Sequence, residues 1–228
     1  MGRLTVNQIM TQIASTVNQE ATSPTAGGTE WTLWLSFINR SIEEWARAFD
    51  WEELRKNYFP PITGTATATV ALPTDFSRLA SPPVNWSTGI TGGEEWPYIS
   101  TEDRKLHSNI SKWVQVWGDM NSGYNLIFNP GTLPSGVSLS IQYFAAPTSL
   151  ASPADIPIIP DSQFVVDRVV GYILEARSDP RFQQQETKAR EKLLGMIEDA
   201  NLRKYNSFAG SSPVITSTRR MGWRMGRD

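Results

Sequence analysis

The chain has no cysteine, one histidine (His107) and no run of apolar residues approaching the length of a membrane span. With no thiol there is no disulfide framework and no thiolate chemistry, and folding needs no oxidising compartment. With one imidazole, a zinc site would have to be built almost wholly from carboxylates, which suits that ion poorly. A transmembrane helix takes about 20 consecutive apolar residues, so no bilayer span is expected. The opening MGRLTVNQIMTQIAS lacks an apolar core followed by a small-residue cleavage site. No signal peptide is therefore expected, and assembly is expected in a cytoplasm. Excess charge is missing as well. Lys plus Arg is 21 against 23 for Asp plus Glu, and a net of −2 advertises neither nucleic acid nor membrane.

What the chain does have is aromatic mass: nine Trp and nine Phe in 228 residues, enough for one large core or two small ones. Much of it lies in Glu30 to Leu54, EWTLWLSFINRSIEEWARAFDWEEL. Trp31, Trp34 or Leu35, Ile38, Ile42, Trp45 and Phe49 recur every three or four positions, which places them on one stripe of a helix. Asn39, Arg40, Glu43, Glu44 and Arg47 fall on the opposite face. Burying one large apolar side chain is worth roughly 2 to 3 kcal/mol, so this stripe is core. The helix is expected to end near Tyr58, where Pro60 and Pro61 stop it.

Before it, Thr5 to Gln19 reads as a helix with Thr5 and Gln8 spaced as a capping box, packed on the aromatic one. After Pro61, TGTATATVAL alternates with a period of two and reads as a half-exposed strand; LPTDF then turns the chain. Extended runs follow at Arg78 to Trp86, Trp96 to Ser100, Trp113 to Trp117, Tyr124 to Asn129 and Val137 to Ala145, an antiparallel barrel or sandwich. Ser100 and Asp103 are placed to cap a short helix through about Ser108. Pro147 to Pro160 leads back to helix. Asp161 caps a third helix, expected to be the most buried, and Asp179-Pro180 opens a fourth with Phe182, Ala189, Leu193, Ile197, Ala200 and Tyr205 inward. Glu186 with Arg190, and Asp199 with Arg203, are spaced for ion pairs along it. The expected fold class is α+β: a four-helix frame, two helices N-terminal and two C-terminal, with an inserted antiparallel β domain and an extended C-terminal arm. In numbers, residues 1–60 give the first helices, 61–147 the β domain, 148–206 the helical hairpin and 207–228 the arm.

Catalytic constellations are hard to assemble from these residues. Gly92-Gly93 is followed by Glu94-Glu95, where a phosphate-binding loop needs Lys and Ser or Thr. His107, the sole base for a Ser-His-Asp enzyme, sits in the polar stretch TEDRKLHSN, where a solvated histidine is expected. A carbohydrate-active reading takes Glu94, Glu95, Glu102 and Asp103 as acids and Trp86, Trp96 and Trp113 as sugar platforms. The sequons at Asn39, Asn85 and Asn109 carry no weight without a secretion signal. The arm is the remaining feature. Residues 213–228 hold four Arg and one Asp, +3, which leaves −5 for the rest. Val214, Ile215, Met221 and Trp223 lie among Arg219, Arg220, Arg224 and Arg227. Sixteen extended residues reach roughly 50 Å, and ordering them costs on the order of 1 to 2 kcal/mol each. Surface ion pairs at under about 1 kcal/mol each would not hold such an arm, so apolar burial and bidentate Arg contacts must contribute. Docking on another protein is the expected use; nucleic-acid binding by the arginines is a further one.

In order and texture, Glu30 to Tyr205 resembles the head-to-tail adaptor (connector) proteins of tailed bacteriophages. The pieces that carry the resemblance are AFDWEELRKNY, VALPTDFSRL, YISTEDRK, YNLIFNPG before SLSIQYFAAPTSL, and IPIIPDSQFVVDRVVGYILEA. The resemblance implies a structural virion protein with no enzymatic activity and no cofactor. It implies a ring, usually of twelve copies, in the neck between capsid and tail. Such a ring docks on the portal, extends the DNA channel and offers a surface to tail proteins, whether tube, nozzle or fibres. The C-terminal extension reaching the portal would here be Val214, Ile215, Arg219, Arg220, Met221, Trp223, Arg224 and Arg227. A body at −5 suits a channel wall past which DNA slides without specific binding.

Overall fold

The computed structural model describes residues 3–18, 22–60, 69–86, 94–100, 112–119, 121–129 and 138–209, without the side chains of 85, 86, 138 and 204–209. Four helices and antiparallel sheets make it an α+β protein. Helix α1 (Val6–Val17) starts at the expected capping box: the Thr5 hydroxyl accepts from the Gln8 N–H at 3.3 Å, and the Gln8 side chain accepts from the Thr5 N–H at 2.9 Å. Its next orphan donors are taken by the proline-rich link, Val6 N–H to the Asp155 carbonyl and Asn7 N–H to that of Pro153. Helix α2 (Thr29–Ala48) buries Trp31, Trp34, Ile38, Ile42 and Trp45, the stripe read from the sequence.

Helix α3 (Ser162–Ala176) is capped by the Asp161 carboxylate, which accepts from the Gln163 N–H at 2.9 Å. Ten of its fifteen residues are buried, because it packs on α1, on α2 and on helix α4 (Phe182–Ala209). Helices α1 and α2 bury their stripes in one core, and α3 packs on both of them. The exposed i,i+4 pairs expected along α4 are replaced by longer-range ones, Glu186 to Arg168 at 3.6 Å and Arg203 to Glu53 at 3.5 Å. Between α2 and α3 a polar node is embedded. Glu44 accepts from Arg168 at 2.8 Å and from the Tyr172 hydroxyl, and the guanidinium groups of Arg40 and Arg168 each lie 4.7 Å from the Tyr172 ring centre.

The aromatic helix stops earlier than its sequence pattern suggests. Phe49 is extended, and Trp51 folds back to stack on Trp45 with ring centres 4.8 Å apart, its indole N–H donating 2.6 Å to the Trp45 carbonyl. That bond satisfies a helix-end carbonyl and turns the chain aside. A short 3₁₀ turn, Glu52–Leu54, follows, and Arg55–Tyr58 is strand β1, not helix. Pro60 and Pro61 therefore do not end α2.

The remaining strands are β2 (Thr69–Ala71), β3 (Phe76–Leu79), β4 (Val84–Trp86), β5 (Glu94–Glu95), β6 (Trp113–Asp119), β7 (Gly123–Asn129) and β8 (Ser138–Ala145). The expected run from Arg78 to Trp86 is two strands parted at Pro82-Pro83, since proline supplies no ladder donor. Trp96 to Ser100 is not a strand; it contributes one parallel bridge, Tyr98 to Val114. Strand β8 is the spine of one sheet, with β1 on one edge and β3 and β4 in succession on the other; β5 extends β4. A second sheet has the order β2-β7-β6. Leu139, Ile141 and Tyr143 alternate on β8 and share a core with Val70, Val114, Leu126 and Phe128, so the two sheets pack face to face. The Thr63 to Thr67 part of the expected strand and the Ser100–Ser108 helix lie outside the described residues beyond Ser100 itself.

The LPTDF turn is the bolt between these parts. Asp75 accepts from Lys56 of β1 at 2.6 Å and from the Tyr143 hydroxyl of β8 at 2.9 Å, and its carbonyl accepts from Ala146 N–H. Three residues on, Arg78 pairs with Asp50 at 2.6 Å, reaches the Phe49 carbonyl and lies over the Phe144 ring. On the other side, Asn39 of α2 exchanges two hydrogen bonds with the Leu150 backbone, at 2.8 and 3.0 Å.

Trp51→Ala removes the stack and its bond, and is expected to cost about 3 to 5 kcal/mol in denaturant unfolding, with Trp51→Phe costing markedly less. Stability should also fall at both ends of the pH scale. Burial raises the carboxyl pKa of Asp75 and Glu44, but Lys56 with Tyr143, and Arg168 with Tyr172, outweigh it and hold both below the ordinary values of 3.8 and 4.5. Their contribution is full above those values and is lost as pH drops through the lowered ones. Burial and the facing carboxylates push Tyr143 and Tyr172 up to about 12, from 10.0, so their contribution is lost as pH rises across that interval. Urea midpoints measured against pH should show both losses, and Asp75→Asn should flatten the acid one.

Candidate functional site

One large cleft opens where the helical frame meets the β sheet. Its volume is about 1030 Å³, at the upper end of the range of roughly 300 to 1,000 Å³ typical of ligand pockets. One wall is the turn after α2, residues 50–55, and the opposite wall is α4 from Lys192 to Arg203. The floor is apolar, with Trp51, Phe144 and Met196 each under 10% exposed. The rim is acidic: Asp50, Glu52, Glu53, Asp161 and Asp199 against Arg55, Lys192 and Arg203, a balance of −2. Several of these charges meet only loosely. Glu53 is 3.5 Å from Arg203 and Asp161 is 3.8 Å from Lys192, while Asp199 has no ion-pair partner among the described residues.

Gly195 stands in the middle of α4 on this cleft, exposed, and a Cβ built on it would meet nothing within 4 Å. Nothing in the described chain requires glycine there, and glycine costs a helix interior about 1 kcal/mol relative to alanine.

The residues singled out from the sequence are not gathered here. Val214, Ile215, Arg219, Arg220, Met221, Trp223, Arg224 and Arg227 lie outside the described residues, as do Glu102, Asp103, His107 and Asn109. Two of the three sugar platforms are a correction, and the side chain of the third, Trp86, lies outside the described ones. Trp96 is 3% exposed and packs edge-on against Phe128, and Trp113 is 8% exposed, so neither ring offers a face to a glycan. Their burial follows from the sandwich core, which aromatic content alone does not distinguish from a binding platform. Of the expected acids, Glu94 is paired with Lys112. Trp117 of β6, passed over in the sequence, is 58% exposed. The Asn39 amide is occupied on both sides by Leu150, which makes it a structural asparagine. Among the described residues no three metal-ligating side chains come together, and no helix is long and apolar enough to cross a membrane.

Pocket and fold alone do not name a function, but comparison with known families does. Curated proteins give no match. A family model described as SU10 adaptor protein matches residues 4–216, from the capping box of α1 to Ile215 and its neighbour at the head of the arm. The matched span takes in every helix and strand among the described residues up to residue 209, and ends before Arg219. With nearly the whole chain inside that match, this protein belongs to the SU10 adaptor protein family and is a structural head-to-tail adaptor protein of a bacteriophage.

Proposed function

We propose that the chain is the repeating subunit of a ring in the virion neck, docked on the portal and carrying the tail. The carrying observation is the family match over residues 4–216, joined to an arm whose composition needs a partner. In this reading the helical frame forms the ring wall, in about twelve copies, and the β sandwich projects from it. DNA passes through the lumen, and tail proteins attach to the exposed surface. The body outside the arm is at −5, which keeps a channel wall from holding a polyanion by counterion release. Assembly takes place in the host cytoplasm, and the subunit performs no catalysis.

The arm makes the joint. Val214, Ile215, Met221 and Trp223 supply apolar area, and Arg219, Arg220, Arg224 and Arg227 supply directed donors for carboxylates. One arm binds weakly, but a ring presents many at high effective concentration, and the joint becomes nearly permanent. Three residues, Gly210, Ser211 and Ser212, separate Ala209 of α4 from Pro213.

Deleting residues 213–228 should leave the thermal transition of the body unchanged while abolishing cosedimentation with portal rings. Binding that survives the deletion would take the arm out of the mechanism.

A further inference from the structure

We infer that the second half of α4, residues 196–209, is a lever that closes on this cleft by bending at Gly195, and that its position sets the direction in which the chain leaves Ala209. The inference stands on the described chain alone and needs neither the ring nor the arm.

Length and burial divide α4 at that point. Helix α3 has 15 residues and α4 has 28, so at 1.5 Å per residue they are about 22 and 42 Å long. The turn between them, residues 177–181, is short, and the two helices pack side by side as a hairpin. Helix α3 therefore backs α4 only through about residue 196. Burial agrees. Among the described side chains of α4, Ala189 and Met196 are the buried ones, and from 197 to 203 none is fully buried. Leu202 is 60% exposed. Beneath this overhang lies the cleft, with Trp51, Phe144 and Ala80 across from it. Among the described residues, the ion pair tying the overhang to the far wall is Arg203 to Glu53 at 3.5 Å; the arginine is largely exposed, and the tie is weak.

Gly195 stands at the division. A Cβ there would meet nothing within 4 Å, so packing does not ask for glycine. Backbone freedom does, because a hinge must absorb a change of dihedral angles and glycine tolerates it best. Gly195 also lines the cleft, which puts it on the inside of a bend towards the far wall, where a side chain would be pressed against the next turn. Leu202 lies seven residues on, two turns away and on the same side of the helix. A bend at Gly195 thus carries Leu202 down onto the apolar floor. Burial of that side chain, with the partly buried Ala200, stands against the helix hydrogen bonds lost at the bend. The opposing contributions are small, so both positions are populated.

The chain has no cysteine, so paired cysteine substitutions label it cleanly. The test is the distance distribution by double electron–electron resonance between spin labels at Arg47→Cys, exposed in the last turn of α2, and Ser207→Cys on the overhang, in the full-length protein. A kink of about 20° at residue 195 moves residue 207, about 18 Å along the helix, by roughly 6 Å. Two distances differing by about that amount are expected. Gly195→Ala, which fits the open space and stiffens the helix, should remove the shorter one. Leu202→Asp keeps the hinge but brings a charge to an apolar floor, and should reduce the share of the shorter distance about tenfold. A single distance in the protein with Gly195 and Leu202 intact overturns the inference. So does a shorter distance that keeps its share in either variant.

Discussion

Four buried tryptophans hold the chain's two halves in register. Trp31, Trp34 and Trp45 sink one face of α2 into the helical core, and Trp51 closes on Trp45 from beyond the helix end. This closure ends α2 at Ala48 and sends the chain out as β1. Once β1 is placed, its ladder fixes β8, and β8 in turn fixes β3 and β4. The β sheet is thus aimed by a helix end. Asp75 and Arg78 then lock the aim from the far side, joining β3 and the preceding turn to β1, β8 and the Phe49–Asp50 segment. These contacts tie frame and sandwich together at several points.

How much of this could be read from the residues depended on the range of the deciding interaction. The capping box at Thr5 and Gln8, the Asp161 cap and the apolar face of α3 are local, and the structure has them where the spacing put them. Arg55–Tyr58 has no apolar alternation; it is a strand because β8, more than eighty residues on, pairs with it. A helix pattern running into it gave no warning. Trp96 and Trp113 show the same limit, since a tryptophan's composition says nothing of whether its ring faces a core or a ligand. LPTDF reads as a turn in the sequence, and its structural role lies in Asp75 bridging β1 and β8 across long chain separations. The cleft had no sequence signature at all. Its walls come from segments near residues 50, 80, 144, 160 and 200, which only the tertiary fold unites.

Electrostatics follow the same division of labour. The body is weakly acidic, and its ion pairs are short-range ties between elements, such as Glu44 to Arg168 across α2 and α3. Excess positive charge is confined to the last sixteen residues, among side chains suited to burial.

The central claim, that this chain is a building block whose arm is shaped by lying on another subunit, is tested most directly by electron cryomicroscopy of the neck in intact virions. The account predicts a ring of these subunits beneath the portal, with continuous density for residues 213–228 running onto a different chain. A ring whose arms show no density on any neighbour, or a neck from which this chain is missing, would contradict it.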